Sequence, residues 1–465
     1  MDPTDSAGSR FQFISIQNPT DAKDRDKRRL ARSHAIKQSM QSRRKHLQAS
    51  TSHASEASAQ TLVPWSVFAS ESAYGPFETL FGDSPKLSAL LSHDLAKQAV
   101  EPVFSIADPV IFQDFDSVFR NDLDDPALLS AIKLSFAFAV TGGNIDHECL
   151  HYQNEAMSTI RERMDSPETA LGLPTLGAIL LLAGVEASQF TYSPPARLKA
   201  RLGMRWQVQL HMDAIRRLLD LGRFRNIYLT DGIKRAIFWQ DLNSSIMTGS
   251  DRIVDNTTFA ELRWGRDPFS AEFFILAPGF QKRADLFPED FIEVLKDIHA
   301  LQCIQDLPSY TCQNPIEMCR IDNQQASIGS RLVGLPKLSA FMEACYLGAY
   351  LSACMLCSKV WRHSVMPSHV SHHLLHKLQE SNDDLFWDDH PDLLMWILYT
   401  GGSFSPKGPT RSGFKALLQI NHTLRFKAKR ISLSELLEIL IQFVWSERMY
   451  RAQVEEFWEE IHTET

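Results

Sequence analysis

Apolar residues in this chain recur with the period of the α-helix and hardly anywhere with that of a β-strand. Val208, Met212, Ile215 and Leu219 fall at i, i+4, i+7 and i+11, the spacing of one buried helical face. Asp125-Pro126 predicts a helix through Leu128, Leu129, Ile132 and Phe136, because Asp caps orphan N–H groups and Pro suits the first turn. Pro288-Glu-Asp and Pro391-Asp392 mark two further starts. Gly222 reads as the cap of the Val208 helix, and Gly401-Gly402 as the end of the Pro391 helix. Gly142-Gly143 reads as a turn. Ser432-Leu-Ser-Glu435 is a capping box before a continuous apolar stripe of Leu433, Leu436, Leu437, Leu440, Ile441, Val444 and Trp445. No strand-like run alternates with helices in a βαβ pattern, so the body is expected to be all-α.

At 465 residues, with 44% hydrophobic and 22% charged residues, the chain can bury a large core. The most apolar stretches are Leu171–Ala187 and Cys345–Cys357. Pro174 and Glu186 interrupt the first, and Glu343 and Lys359 flank the short second. Both are expected to be buried helices rather than membrane spans. The polar start of the chain carries no secretory signal, so the seven cysteines are expected as free thiols in a reducing compartment. Cys354 and Cys357 form a lone C-x-x-C pair within an apolar helix. They read as core residues because neither a second pair nor a βαβ context accompanies them.

The N-terminal region differs in character from the rest. Residues 1–22 read as extended or disordered, although Phe11–Ile16 alternates like a strand. Residues 23–47 read as a basic helix, 48–62 as a small, polar, disordered linker, and 63–465 as the helical body. Residues 1–50 hold eleven Lys and Arg against five Asp, a balance of +6. The net charge is −8, so the remainder carries −14. A basic arm on an acidic body implies a partner for the arm itself.

Two histidine patterns invite a metal reading. His147-Glu148-Cys149-Leu150-His151 is an H-E-x-x-H string, which on a helix can hold zinc with the Glu as general base. On a helical wheel, however, His147, Glu148, His151, Asn154, Glu155, Ser158 and Glu162 fall opposite an apolar arc. That arc holds Ile145, Cys149, Leu150, Tyr152, Ala156, Met157, Ile160 and Met164. The string therefore lies on the solvated face, and no third ligand is apparent. His369 with His373, and His372 with His376, are i, i+4 pairs that could also hold a metal, yet no carboxylate or thiolate is interleaved. Neither pattern makes a metal or other cofactor an expectation.

If residues 23–45 are helical, Arg25, Arg28, Arg29, Arg32 and Arg43 lie within about 100° of one another on the wheel. Such a face can track phosphates. Lys27-Arg28-Arg29 and Arg43-Arg44-Lys45 also form a bipartite, import-signal-like pair of clusters, so importin is an expected partner. The expected contact residues are Lys27, Arg28, Arg29, Arg32, Arg43, Arg44 and Lys45. No aromatic residue lies among them to stack on single-stranded bases.

Several segments, taken in order, resemble fungal-specific transcription factor domain proteins, and specifically the subgroup that lacks a binuclear zinc cluster. These are "FQFISI" with the basic segment after it, "HYQNEAMSTIRERM" through Tyr152 and Ala156, and "HMDAIRRLLDLGRF" through His211, Leu218 and Gly222. "KRAIFWQDLNSSIMTGSDR" follows through Trp239, Asp241 and Arg252, and "HPDLLMWILYTGG" comes late. The resemblance spans most of the chain. The first cysteine is Cys149, so the six-cysteine cluster of the DNA-binding members is absent, and Ile253 stands where the pattern has Pro. The resemblance implies an all-α, non-catalytic regulatory domain in the nucleus, acting through regulatory proteins or an effector, with homodimerisation as one mode of association. It implies no membrane contact, and only weak non-specific DNA contact by the arm. The alternatives are a helical interaction scaffold without DNA binding and a zinc hydrolase using His147 and His151.

Overall fold

The computed structural model describes residues 85–93, 122–192, 198–225, 228–262, 271–307, 315–356, 366–426 and 431–463, together with Ala96, Val103, Phe104, Val118 and Phe119. The chain divides into two compact units, residues 1–72 and 73–465. The first unit, which holds the basic arm, the linker and the start of the body at 63, lies outside the described residues. The described part of the second unit is helical and contains no strand, so the body is all-α.

Fourteen of the described helices have seven or more residues. They are α1 (Pro85–Leu91), α2 (Pro126–Val140), α3 (His147–Arg163), α4 (Leu173–Tyr192), α5 (Leu198–Phe224), α6 (Asp231–Thr248) and α7 (Glu289–Asp306). There follow α8 (Pro315–Gly334), α9 (Ala340–Leu356), α10 (Met366–Glu380), α11 (Pro391–Phe404), α12 (Pro409–Asn421), α13 (Leu433–Leu440) and α14 (Glu447–Thr463). Two helices are central because they are apolar on every side. α4 packs against α2, α3, α5 and α6, and α11 packs against α9, α10, α12, α13 and α14. α6 and α8 lie between these two groups and touch each other.

Local chemistry explains where the helices begin. Asp125 Oδ1 accepts from the N–H groups of Ala127 and Leu128 at 3.0 and 3.1 Å, so the cap read from Asp125-Pro126 is formed. Arg163 then grips both oxygens of the same carboxylate, at 3.0 and 2.6 Å, and ties the end of α3 to the start of α2. Gly142 and Gly143 take φ of +63° and +83°, the left-handed turn expected after α2. The capping box at Ser432 and Glu435 has both of its reciprocal bonds.

Three expectations about helix ends are corrected. α5 runs past Gly222 to Phe224, so Gly222 lies inside the helix. α11 runs past Gly401-Gly402 to Phe404. There the absent side chains make room for two aromatic rings, since a Cβ on Gly401 would strike Phe414 and one on Gly402 would strike Phe457. The stripe from Leu433 is not continuous, because α13 stops at Leu440. Beyond it the Gln442 carbonyl turns away to accept from Gly279 N–H at 2.6 Å. Phe443 packs on Phe280 and Trp396 with ring centroids 5.1 and 5.5 Å apart.

Candidate functional site: a cleft beside a buried charged belt

Three residues of the Trp239–Arg252 segment, Trp239, Asp241 and Arg252, are engaged inside the body. Arg252 Nε donates to Asp241 Oδ2 at 2.5 Å, and its Nη1 donates to Ser330 on α8 at 3.0 Å. Asp241 also accepts from the backbone N–H groups of Ile253 and Val254 at 3.0 and 3.2 Å. That one carboxylate folds the 251–256 segment back over α6. Two residues earlier on α6, Trp239 Nε1 donates to Asp322 Oδ2 at 3.3 Å, and Arg235 lies 3.7 Å from the same oxygen. Burial pushes the Asp322 carboxyl above the usual carboxylate range, and Arg235 and the indole N–H pull it only part of the way back.

The belt continues along α8. Asn256 donates to Ser327 at 2.9 Å, Asn323 to the Leu262 carbonyl at 2.8 Å, and Gln325 to the Ala353 carbonyl on α9 at 3.4 Å. On α5, His211 Nε2 lies 3.1 Å from Glu186 Oε2 on α4, and Gln153 on α3 donates to the other oxygen at 3.3 Å. His211 and Glu186 are both buried. Polar groups this deep are costly unless paired, and these join α3, α4 and α5 on one side and α6, α8 and α9 on the other.

Beside the belt a cleft of about 250 Å³ opens between α4, α5, α6 and the 258–259 turn. Its floor is Leu171, Leu176, Leu218, Leu219 and Phe259, all buried. Gly222 adds bare backbone, with only Leu171 Cδ2 at 3.6 Å from where its Cβ would sit. Asp255 positions the turn, accepting from Thr257 and Thr258 at 2.7–2.9 Å. Those bonds hold the Asp255 carboxyl below its usual range. The charged residues in the lining are Lys234 and Arg223. The Lys234 side chain is 8% exposed, and its Nζ sits 4.5 Å over the exposed Tyr228 ring.

The histidine motifs are differently placed. His147 and His151 stand in solvent on α3, as the wheel predicts, while Cys149, Tyr152, Ala156 and Ile160 are buried beneath them. Leu150 and Met164 depart from the expected apolar arc and are 47% and 39% exposed, Leu150 at its edge and Met164 just past the end of α3. Glu148 is held by Lys86 Nζ at 2.6–2.8 Å and by the Tyr152 hydroxyl at 2.8 Å. Lys86 first, then Tyr152, outweigh burial and keep the Glu148 carboxyl below its usual range, the wrong direction for a general base. Burial pushes the Cys149 thiol up to about 11. His151 pairs with Glu155 at 3.4 Å.

On α10, His369 Nε2 lies 3.2 Å from the Ile246 carbonyl, and His373 packs on its ring at 4.2 Å. His376 instead pairs with Glu380 at 3.2 Å. Among the described residues, no three His, Cys, Asp or Glu side chains converge on a metal-sized point. Cys354 is buried in α9, and Cys357 lies outside the described residues. Lys27, Arg28, Arg29, Arg32, Arg43, Arg44 and Lys45 also lie outside them.

The cleft was not read from the sequence. Its signal is Lys234-Arg235 between Ile233 and Ile237, where cations occupy inward positions of an apolar-periodic helix. No helix among the described residues is long and apolar enough to cross a membrane. No protein-family model, curated protein or solved structure matches the chain.

Proposed function

We propose that this chain is a nuclear, transcription-factor-like regulator of the fungal-specific type, non-catalytic, whose helical body binds a partner or small effector and whose basic arm brings it into the nucleus. The observation that carries the reading is the fate of Trp239, Asp241 and Arg252. Each spends its polar group inside the protein, on α8 or on the segment after α6. Residues used in this way hold helices together and offer nothing to a substrate, as suits a regulatory scaffold. The cleft beside them supplies a place for an effector. The rival zinc hydrolase would have to work from two solvated histidines and a Glu148 already engaged by Lys86 and Tyr152.

Chromatin immunoprecipitation of the full-length tagged protein tests the proposal, with parallel imaging of its location. The expected result is nuclear protein at discrete loci. Replacing Lys27, Arg28, Arg29, Arg32, Arg43, Arg44 and Lys45 by Ala should send it to the cytosol. A uniformly cytosolic wild type with no locus enriched would overturn the regulator and leave the DNA-free scaffold. Peptide hydrolysis by the purified protein that vanishes in His147→Ala/His151→Ala would replace it with the hydrolase.

A further inference from the structure

We infer that the outer face of α5 is a homodimer interface, on which α5 of a second copy of this chain packs antiparallel about a two-fold axis beside Ile215. This deepens the partner-binding reading of the body and rests on it.

The inner face of α5 is committed to the core. Val208, Met212, Ile215 and Leu219 are buried, and the helix packs on α4 and α6. The outer face of such a helix is ordinarily polar, yet here both of its ends are apolar. Trp206, Leu210, Asp213, Arg217 and Phe224 fall at i, i+4, i+7, i+11 and i+18, and Leu221 flanks them at i+15. At 100° per residue the six lie within about 80° of one another. Trp206, Leu210 and Phe224 are 66%, 49% and 87% exposed. Five full turns separate Trp206 from Phe224, so the two rings leave the helix in one direction from places about 27 Å apart. Large apolar groups aligned on one surface helix mark a contact with another protein.

The order of residues along the row selects the partner. Trp206 and Phe224 lie nine residues before and after Ile215, and Asp213 and Arg217 lie two before and after it. In an antiparallel pair related by a two-fold axis, each residue meets its counterpart across that centre. Trp206 then meets Phe224 of the second copy, Asp213 meets Arg217, and Leu210 comes level with Leu221 on the same edge. Every contact is made twice. Asp220, on the opposite edge and 3.8 Å from Arg223, comes level with Gln209. A parallel pair would instead set Asp213 on Asp213 and Arg217 on Arg217. Within one copy Asp213 accepts from Gln209 at 3.1 Å and lies 3.7 Å from Arg216, which leaves carboxylate lone pairs for a further donor. Arg217 is exposed and makes no ion pair or hydrogen bond among the described residues. The apolar ends supply the affinity. The charges at the centre supply the direction, since exposed pairs are worth little by themselves.

Sedimentation equilibrium of the full-length protein between about 1 and 100 µM tests the inference, because a single helix pair is at the small end of specific interfaces and implies micromolar dissociation. Wild type is expected to dimerise reversibly in that range. Trp206→Ala acts at both ends of the interface and should weaken the dimer about thirtyfold. Asp213→Arg and Arg217→Asp should each weaken it on the order of tenfold, by setting like charges against each other twice. An equimolar mixture of those two variants restores opposite charges at both places and should recover near-wild-type affinity, which a damaged fold would not do. Circular dichroism confirms that each variant is folded. A wild type that stays monomeric throughout, dimerisation indifferent to all three substitutions, or a mixture no tighter than its components would each overturn the interface. Locus occupancy by a protein that stays monomeric would remove the dimer and keep the regulator. Dimerisation with these variant effects but no occupied locus would keep the interface and remove the regulator.

Discussion

Two glycines that look alike in the sequence do opposite work in the fold. Gly402 sits in α11 under the Phe457 ring, and Gly401 beside it lies under Phe414. A methyl group there must displace a buried ring, so Gly402→Ala is expected to cost about 1–3 kcal/mol by overpacking. Gly222 lies inside α5 with only ordinary van der Waals contact awaiting a Cβ. Gly222→Ala should therefore stabilise by about 0.5–1 kcal/mol, the usual helix-interior gain over glycine. Urea unfolding of both variants checks the pair, and a destabilised Gly222→Ala beside a neutral Gly402→Ala would reverse the assignment. In the sequence both positions read as caps, because glycine ends helices and glycine lets helices approach, and a single sequence does not separate the two uses. Asp125 and Ser432 are legible because a cap acts locally, through N–H groups two or three residues away.

At the level of elements, ion pairs on Glu460 help to fasten α14 to the core. Arg411, buried at the start of α12, forks onto Glu460 at 2.9 and 3.0 Å and also donates to the carbonyls of Gly402, Ser403 and Ser405 at the end of α11. Lys415 lies 3.3 Å from Glu460 as well. Burial raises the Glu460 carboxyl, but Arg411 and Lys415 together outweigh it and hold it below its usual range. A lowered folded value means that the pair's stabilisation is fully present above the unfolded carboxylate range, about 4.3, and is lost as pH falls through the folded value. Glu460→Gln should cost about 1–3 kcal/mol at neutral pH and flatten the acid limb of the stability–pH curve below about pH 4.3. Guanidinium unfolding followed against pH reads both, and an unchanged acid limb would show that other carboxylates carry it. None of this pairing shows in the sequence, because Arg411 and Glu460 are 49 residues apart. The solvated face of α3 does show, because a helix displays its own two faces in its own sequence.

For the whole molecule, the decisive contrast is charge: a balance of +6 in the first fifty residues against −14 in the rest. The all-α class is legible because helical periodicity and caps repeat along the entire body. The belt and cleft are not, because the belt assembles side chains from α3, α4, α5, α6, α8 and α9 and the cleft from α4, α5 and α6, whose order along the chain does not reveal which faces meet. The charge contrast needs no such assembly and makes its own prediction. Without a zinc cluster the arm offers phosphate contacts from Lys27, Arg28, Arg29, Arg32, Arg43, Arg44 and Lys45, which carry little sequence information. Non-specific affinities of this kind are about 10⁻⁴–10⁻⁶ M at physiological salt, and the acidic remainder opposes the approach of DNA further. Fluorescence anisotropy of the full-length protein on unrelated duplexes should give weak binding with a steep salt dependence. Replacing the seven basic residues by Ala should flatten that dependence, since the log–log slope carries about 0.9 for every phosphate the protein neutralises. Nanomolar affinity for one duplex over another at physiological salt could not come from these residues. It would require a base-reading surface on the helical body, and the protein would then find its loci by itself rather than through a DNA-binding partner.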